Sequence, residues 1–147
     1  MAEIERKFRV PDLPAGTRIR QAYLAVDGSV EVRVRDQGGT FLLTVKGGRG
    51  LERAEVEVEI DAVAFDELWR LAPTRRIDKT RHVVPTDGTT VEVDVYAGSL
   101  EGLVVAEVEF PSRDEAEAFV APAWLGDELT GDERWSNAAL AEHGLPA

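Results

Sequence analysis

The 147-residue chain has no cysteine and only two histidines. Disulfides and thiolate metal centres are therefore excluded. Cationic charge is also scarce: 17 Lys and Arg stand against 28 Asp and Glu, a net charge of −11. Nonspecific binding to nucleic acid or to anionic membrane needs a basic surface, so neither is an expected partner, although a local cationic pocket stays open. No apolar run approaches the roughly 20 residues of a membrane span. No cleavable signal pattern is visible, because charged residues in a strand pattern begin at residue 3. The expected location is the cytoplasm. No repeat, low-complexity linker or composition shift marks a second domain, so one domain over residues 1–147 is expected.

What the chain does have is charge in strand register. Glu3, Glu5 and Lys7 alternate in the first strand pattern, and successive strand side chains point to opposite faces. The pattern recurs in Glu31, Arg33 and Arg35, in Thr44 and Lys46, and in Arg53, Glu55, Glu57 and Glu59. It recurs again in Lys79 and Arg81, in Glu92 and Asp94, and in Glu107 and Glu109. Arg9 shares the parity of Lys7, whereas Arg6 falls on the other face. The opposite parity is apolar: Ile4, Phe8 and Val10; Val30, Val32 and Val34; Phe41, Leu43 and Val45; Val56, Val58 and Ile60; Val91, Val93 and Val95; Val104, Val108 and Phe110.

Strands are predicted at about 2–10, 18–26, 30–36, 40–46, 52–60, 77–85, 90–96 and 104–110. Pro11 and Pro14 end the first. Asp27-Gly28, Gln37-Gly38-Gly39, Gly47-Gly48-Arg49-Gly50 and Thr86-Asp87-Gly88 read as turns, giving an antiparallel meander. Asp61 is placed to cap a helix over 62–71 that Pro73 stops. Ser112 begins a capping box for a helix through Val120, and a short helix is expected around 136–143. The apolar parity is expected to be buried, in part under these helices.

The charged parity has two destinations. An antiparallel sheet ordinarily keeps one face in water. A plain wet face would mix Thr, Ser, Gln and Lys. Here nearly every position is ionised, and acidic and basic pairs are sorted onto different strands. This favours a closed sheet with a polar lumen and helices outside. Carboxylates gather hard divalent cations, Arg forks onto phosphate oxygens and Lys acts as a point charge. One lumen holding both suits a polyanion and its metals, the combination that phosphoryl transfer requires.

These residues resemble the CYTH domain of the triphosphate tunnel metalloenzymes, in the short bacterial form. The N-terminal E-x-E-x-K strand is matched by Glu3, Glu5 and Lys7. The R-x-R, lysine-before-glycine, acidic, K-x-R, E-x-D and late E-x-E strands follow in family order, and the segment 129–137 also resembles the family. The resemblance implies a mainly β (α+β) fold: an eight-stranded antiparallel closed β-barrel tunnel with helices packed outside. It implies metal-dependent hydrolysis of a triphosphate with Mg²⁺ or Mn²⁺. By the same resemblance Glu3, Glu5 and Glu109 ligate metal, with Glu107 close to a second. Lys7, Arg33, Arg35, Lys46, Lys79 and Arg81 grip the triphosphate, and Glu57, Glu59, Glu92 and Asp94 support them. Glu5, Lys7, Glu107 and Glu109 form the catalytic group, with water as nucleophile and the acidic cluster taking its proton.

The lumen is ionic throughout, with no obvious apolar pocket for a base, so the leading expectation is an inorganic triphosphatase that cleaves tripolyphosphate to pyrophosphate and phosphate. A nucleoside or thiamine triphosphatase, or a class IV-type adenylyl cyclase, uses the same landmarks. A noncatalytic polyphosphate-binding module is the alternative of another class. The expected partner is a small-molecule triphosphate or polyphosphate, and the expected assembly a monomer or homodimer. Other signals are read as structural. Gly47 to Gly50 lacks the ending of a P-loop. His82 is read as a surface or packing residue, His143 as a helix-end residue, Ser112 as a cap, and Trp69, Trp124 and Trp135 as core or helix-docking residues. Arg75 and Arg76 are read as a solvated pair.

Overall fold

A computed structural model describes residues 2–9, 16–48, 51–86 and 88–147. The expected roles of Val10, Pro11, Pro14, Arg49, Gly50 and Asp87 lie outside the described residues. Eight strands run β1 (Ala2–Arg9), β2 (Thr17–Asp27), β3 (Val30–Gln37), β4 (Thr40–Gly47), β5 (Glu52–Ile60), β6 (Arg76–Thr86), β7 (Thr89–Tyr96) and β8 (Val104–Glu109). The helices are α1 (Ala62–Arg70), α2 (Arg113–Ala118) and α3 (Asn137–His143). All strand pairs are antiparallel, and the sheet closes in the order β1-β5-β4-β3-β2-β6-β7-β8. The meander is thus interrupted at one place, where β1 enters between β5 and β8.

That closing strand is held unevenly. β8 pairs with it from Glu5 to Arg9, whereas β5 pairs with it only from Ala2 to Ile4. β5 begins opposite Ile4, Glu5 N–H still donates to the Leu51 carbonyl at 3.1 Å, and further along β1 the C-terminal segment takes over the edge. Leu129 N–H donates to the Lys7 carbonyl at 2.7 Å, and Arg9 N–H donates to the Asp127 carbonyl at 3.0 Å. Gly126 permits this approach: a Cβ there would sit 2.6 Å from the Arg9 carbonyl oxygen. The backbone groups of β1 are therefore satisfied on both sides, as buried polar groups require.

The helices cover the outside. The Asp61 carboxylate accepts from Ala64 N–H at 2.8 Å and starts α1. Its buried Phe65 packs with Ala22, Val34, Phe41, Leu43 and Ile60. Arg76, which is exposed as expected, also closes the far end of α1 by donating to the Trp69 and Ala72 carbonyls. Arg75 lies 3.6 Å from Glu142. α2 covers Phe8, Val91, Val93, Ala106 and Val108. It stops at Ala118 rather than reaching Val120, because Phe119 turns extended to pack against Phe8 and Phe110. Arg6 lies outside the barrel and donates to the carbonyls of Ala116 and Phe119 as well as to Glu128. His82 is buried on the outer face.

The expected burial of the whole apolar parity does not hold. Val30, Val45, Val56 and Val58 are exposed on the outside of β3, β4 and β5, Val56 at 63%. Among the described residues three α-helices are available, and α1 reaches no further across this wall than Phe41, Leu43 and Ile60. Trp124 is likewise exposed.

One end of the barrel is filled. Tyr23, Ile77, Tyr96, Leu100, Leu103 and Val105 form an apolar cluster with Ala138 and Leu140 of α3. The Ser136 hydroxyl accepts from Ala139 N–H at 3.1 Å, and the Asn137 side chain accepts from the Tyr96 hydroxyl. This apolar cluster bounds the charged lumen at that end. No described helix is long and apolar enough to cross a membrane.

Phe65→Ala should destabilise the protein by about 3–5 kcal/mol, the usual cost of emptying a core phenylalanine site. Urea unfolding measures this; a loss below about 1 kcal/mol would show that α1 does not hold the β3–β4 wall.

Candidate active site

Antiparallel register sorts the charged side chains before any of them interact. Glu5 faces Glu109 and Lys7 faces Glu107 across β1 and β8, while Glu92 faces Glu107 across β7 and β8. Lys46 stands between Glu31 and Glu55, and Arg81 opposite Asp94. The result is a cavity of about 320 Å³ whose lining is almost wholly polar. Glu3, Glu5, Lys7, Arg33, Arg35 and Lys46 line it, together with Glu57, Arg81, Glu92, Glu107 and Glu109.

Three expected site residues, Lys79, Asp94 and Glu59, and a fourth residue of the inward parity, Arg9, are placed elsewhere. Lys79 and Asp94 are buried beneath the lining, 0% and 1% exposed in their side chains, and joined at 2.6 Å. Glu59 lies exposed at the end of β5 rather than in the lining. Arg9, which shares the inward parity of Lys7, stacks 5.1 Å from the Trp135 ring instead. The barrel has its apolar plug at that level, so the charged parity ends there.

The cavity has two electrostatic halves. On one side, a carboxylate oxygen from each of Glu3, Glu5 and Glu109 lies within 4.8 Å of the other two. Three convergent hard oxygen donors fit a divalent cation such as Mg²⁺ or Mn²⁺. Burial raises the Glu5 carboxyl, and the Glu107 charge raises it further, well above the usual carboxylate range. Burial and then Glu92, Glu3 and Glu107 raise Glu109. Burial also opposes ionisation of Glu3, but hydrogen bonding with Glu55 and the Lys46 ammonium at 2.8 Å bring it down to about 2. Glu55 carries the other side of that exchange. Its hydrogen bond to Glu3, then burial, push it up to about 7. Repelled carboxylates of this kind are relieved by a cation.

On the other side are the cations. Lys7 lies 3.3 Å from Glu107, and Arg81 forks onto Asp94 at 2.8 and 2.9 Å. Burial opposes the charge on Glu107, yet Lys7, Arg81 and Lys79 hold it well below the usual carboxylate range. Burial lowers Lys79 to about 7 against the pull of Asp94, with Arg81 and Arg35 adding to the shift. Burial, then Arg33 and Arg81, lower Arg35 to about 10, which leaves it charged at neutral pH. The Arg33 Nε is buried without a hydrogen-bond partner.

The CYTH domain family matches residues 1–135. The chain belongs to the CYTH-domain family. An inorganic triphosphatase of Nitrosomonas europaea is 45% identical over 96% of this chain and 97% of that protein. An inorganic triphosphatase of Acetivibrio thermocellus is 40% identical over 96% of this chain and 94% of its own length. The crystal structure of the inorganic triphosphatase NE1496 superposes with a TM-score of 0.70 at 43% identity, covering 95% of this chain and 93% of that one.

This CYTH barrel also brings in residues that the strand patterns left unassigned. Glu31 and Arg53 line the cavity and pair at 3.5 Å; both lay in the charged parity without a role. Gln37, Ser136 and Asn137 complete the lining. The inward row of β2 is Ile19, Gln21 and Tyr23, all buried. Only one of the three is polar in an obvious way, so no charge alternation marked that strand. The sole available signal was the extended run itself.

The Glu3–Glu55 pair makes stability depend on pH. A carboxyl raised to about 7 favours the folded state below its ordinary 4.5, and that contribution is lost as pH rises through 7. Glu3, lowered to about 2, contributes above 4.5 and loses its contribution as pH falls towards 2. Glu55→Gln keeps a neutral donor for Glu3 at every pH. In EDTA it should raise the melting temperature at pH 8 by roughly 3 °C and leave it nearly unchanged at pH 5. Equal shifts at both pH values would contradict the shared-proton geometry.

Proposed function

We propose that the chain is an inorganic triphosphatase that hydrolyses tripolyphosphate to pyrophosphate and phosphate. The observation that carries this reading is one cavity with a three-carboxylate cluster, Glu3, Glu5 and Glu109, facing Arg33, Arg35, Lys46 and Arg81. The relatives at 45% and 40% identity, both inorganic triphosphatases, support it. Among the described residues the lining holds no aromatic side chain on which a base could stack, which favours the inorganic substrate over a nucleotide.

In this reading Glu3, Glu5 and Glu109 hold Mg²⁺ or Mn²⁺, with Glu107 nearby. What the ion supplies there is positive charge for the phosphate oxygens and Lewis acidity for the attacking water. Arg33, Arg35, Lys46 and Arg81 fix the triphosphate and spread its charge over several donors, with Lys7 completing the grip. Lys79 acts from beneath, sharing Asp94 with Arg81 and so fixing that guanidinium. Glu107 stays ionised between Lys7 and Arg81 and orients the attacking water. In a loose phosphoryl-transfer transition state, orientation and charge count for more than base strength. Water attacks the terminal phosphorus and gives its proton to the acidic cluster, the bridging P–O bond breaks, and pyrophosphate leaves against the arginines. Glu57 and Glu92 carry water and orient the cations. We place the enzyme in the cytoplasm and treat residues 1–147 as one catalytic unit.

Phosphate release from tripolyphosphate, beside ATP and with a cyclic AMP assay, tests the reading. Release should be fast with Mg²⁺ or Mn²⁺, abolished by EDTA, and reduced at least about 100-fold in Glu5→Gln, the scale for one transition-state electrostatic contact. Tight polyphosphate binding without phosphate release would overturn it.

Because Glu5 and Glu109 are raised, metal binding must displace protons. Affinity for Mn²⁺, measured by calorimetry, should weaken from pH 8 to pH 6, with protons released on binding. A pH-independent affinity would place the ion elsewhere.

A further inference from the structure

Among the described residues, most lumen cations stand within 4.0 Å of a carboxylate: Lys7 with Glu107, Lys46 with Glu3, Arg53 with Glu31, and Arg81 with Asp94. Arg33 and Arg35 do not. Both project from β3, and both lie opposite neutral residues of β2: Tyr23 faces Arg33, and Gln21 faces Arg35. Gln21 is 0% exposed. Its side-chain oxygen accepts from Arg35 Nε at 2.9 Å, and its amide nitrogen donates to the Tyr23 hydroxyl at 2.8 Å. One neutral side chain therefore holds the guanidinium through Nε alone. Of its two terminal nitrogens only Nη1 has a protein partner, the Gln37 side-chain oxygen at 3.5 Å.

We propose that Gln21 is a positioning residue for substrate binding: it orients the Arg35 guanidinium without neutralising it. The proposal rests on the reading of the cavity as a triphosphate site. A carboxylate at this position would make an equally good acceptor and a stronger bond. It would also cancel the charge that an incoming phosphate must meet, and would form a buried ion pair that substrate binding has to break. A glutamine is the side chain of that size that supplies the acceptor and keeps the charge. Its amide also extends the hold to Tyr23, which stands beside Arg33, so the two unneutralised guanidiniums share one neutral support.

The test is steady-state kinetics on tripolyphosphate for wild type, Gln21→Glu and Gln21→Leu, with melting temperatures alongside. In Gln21→Glu, KM should rise at least about tenfold, the scale of one charge-assisted contact, while kcat stays within about threefold. In Gln21→Leu, which removes the acceptor but adds no charge, kcat/KM should fall about tenfold. A purely structural glutamine predicts an unchanged KM in Gln21→Glu, since the carboxylate also accepts from Arg35 Nε; that result overturns the proposal. If Gln21→Glu does not fold, an unchanged kcat/KM in Gln21→Leu overturns it equally. An inactive wild type would refute the triphosphatase reading itself, whereas an active wild type with a KM insensitive to Gln21→Glu refutes only the role of Gln21.

Discussion

Closure of the sheet through β1 is the constraint on which the rest depends. An open sheet with these strands would put its ionised face in water, where alternating charges mean little. Inserting β1 between β5 and β8 removes both edges and turns that face into a lumen. It also sets Glu3 and Glu5 of β1 beside Glu109 of β8. The same strand supplies Lys7, so one eight-residue segment contributes to both halves of the cavity. The weak side of the closure is the short pairing with β5, and the tail from Gly126 to Thr130 makes it good.

A lumen of this kind is costly to fold. Desolvated charges must be paired, and pairing seldom repays the full cost of removing them from water. The fold meets this with a graded arrangement. Lys79 and Asp94 are the most deeply buried and form the closest pair. Arg81 sits above them and shares Asp94. Among the described residues Arg33 and Arg35 have no carboxylate within 4.0 Å, and they rest on Tyr23 and Gln21. Burial and the neighbouring carboxylates, Glu107 for Glu5 and Glu92 for Glu109, raise two of the three clustered glutamates. Incompletely compensated charge thus remains in two places of one cavity, one positive and one negative.

Much of this was legible from residue spacing. Period-two charge on seven of the strands marked both the inward face and its sorting by sign, and Asp61 and Ser112 marked helix starts that their side chains cap. Two things were not legible. The lumen is not uniform along its axis: Arg9 shares the parity of Lys7, yet it falls at the level of the Tyr96–Leu140 plug and leaves the charged region. Position along a tilted strand is a tertiary quantity that parity does not contain. The inward row of β2 was also silent, because Ile19, Gln21 and Tyr23 carry no charge and so break the very pattern that identified the other strands. The exposed valines of β4 and β5 are the converse case, apolar parity without a helix to cover it.

The central claim is that the two uncompensated regions meet one metal–triphosphate complex. Crystals grown with Mn²⁺ and tripolyphosphate, in the Glu107→Gln protein to slow turnover, test it through the manganese anomalous signal. The account predicts a peak bonded to carboxylate oxygens of Glu3, Glu5 and Glu109, with phosphate oxygens on Arg33, Arg35 and Arg81. A manganese peak away from that triad, or a polyphosphate bound outside the barrel, would contradict it.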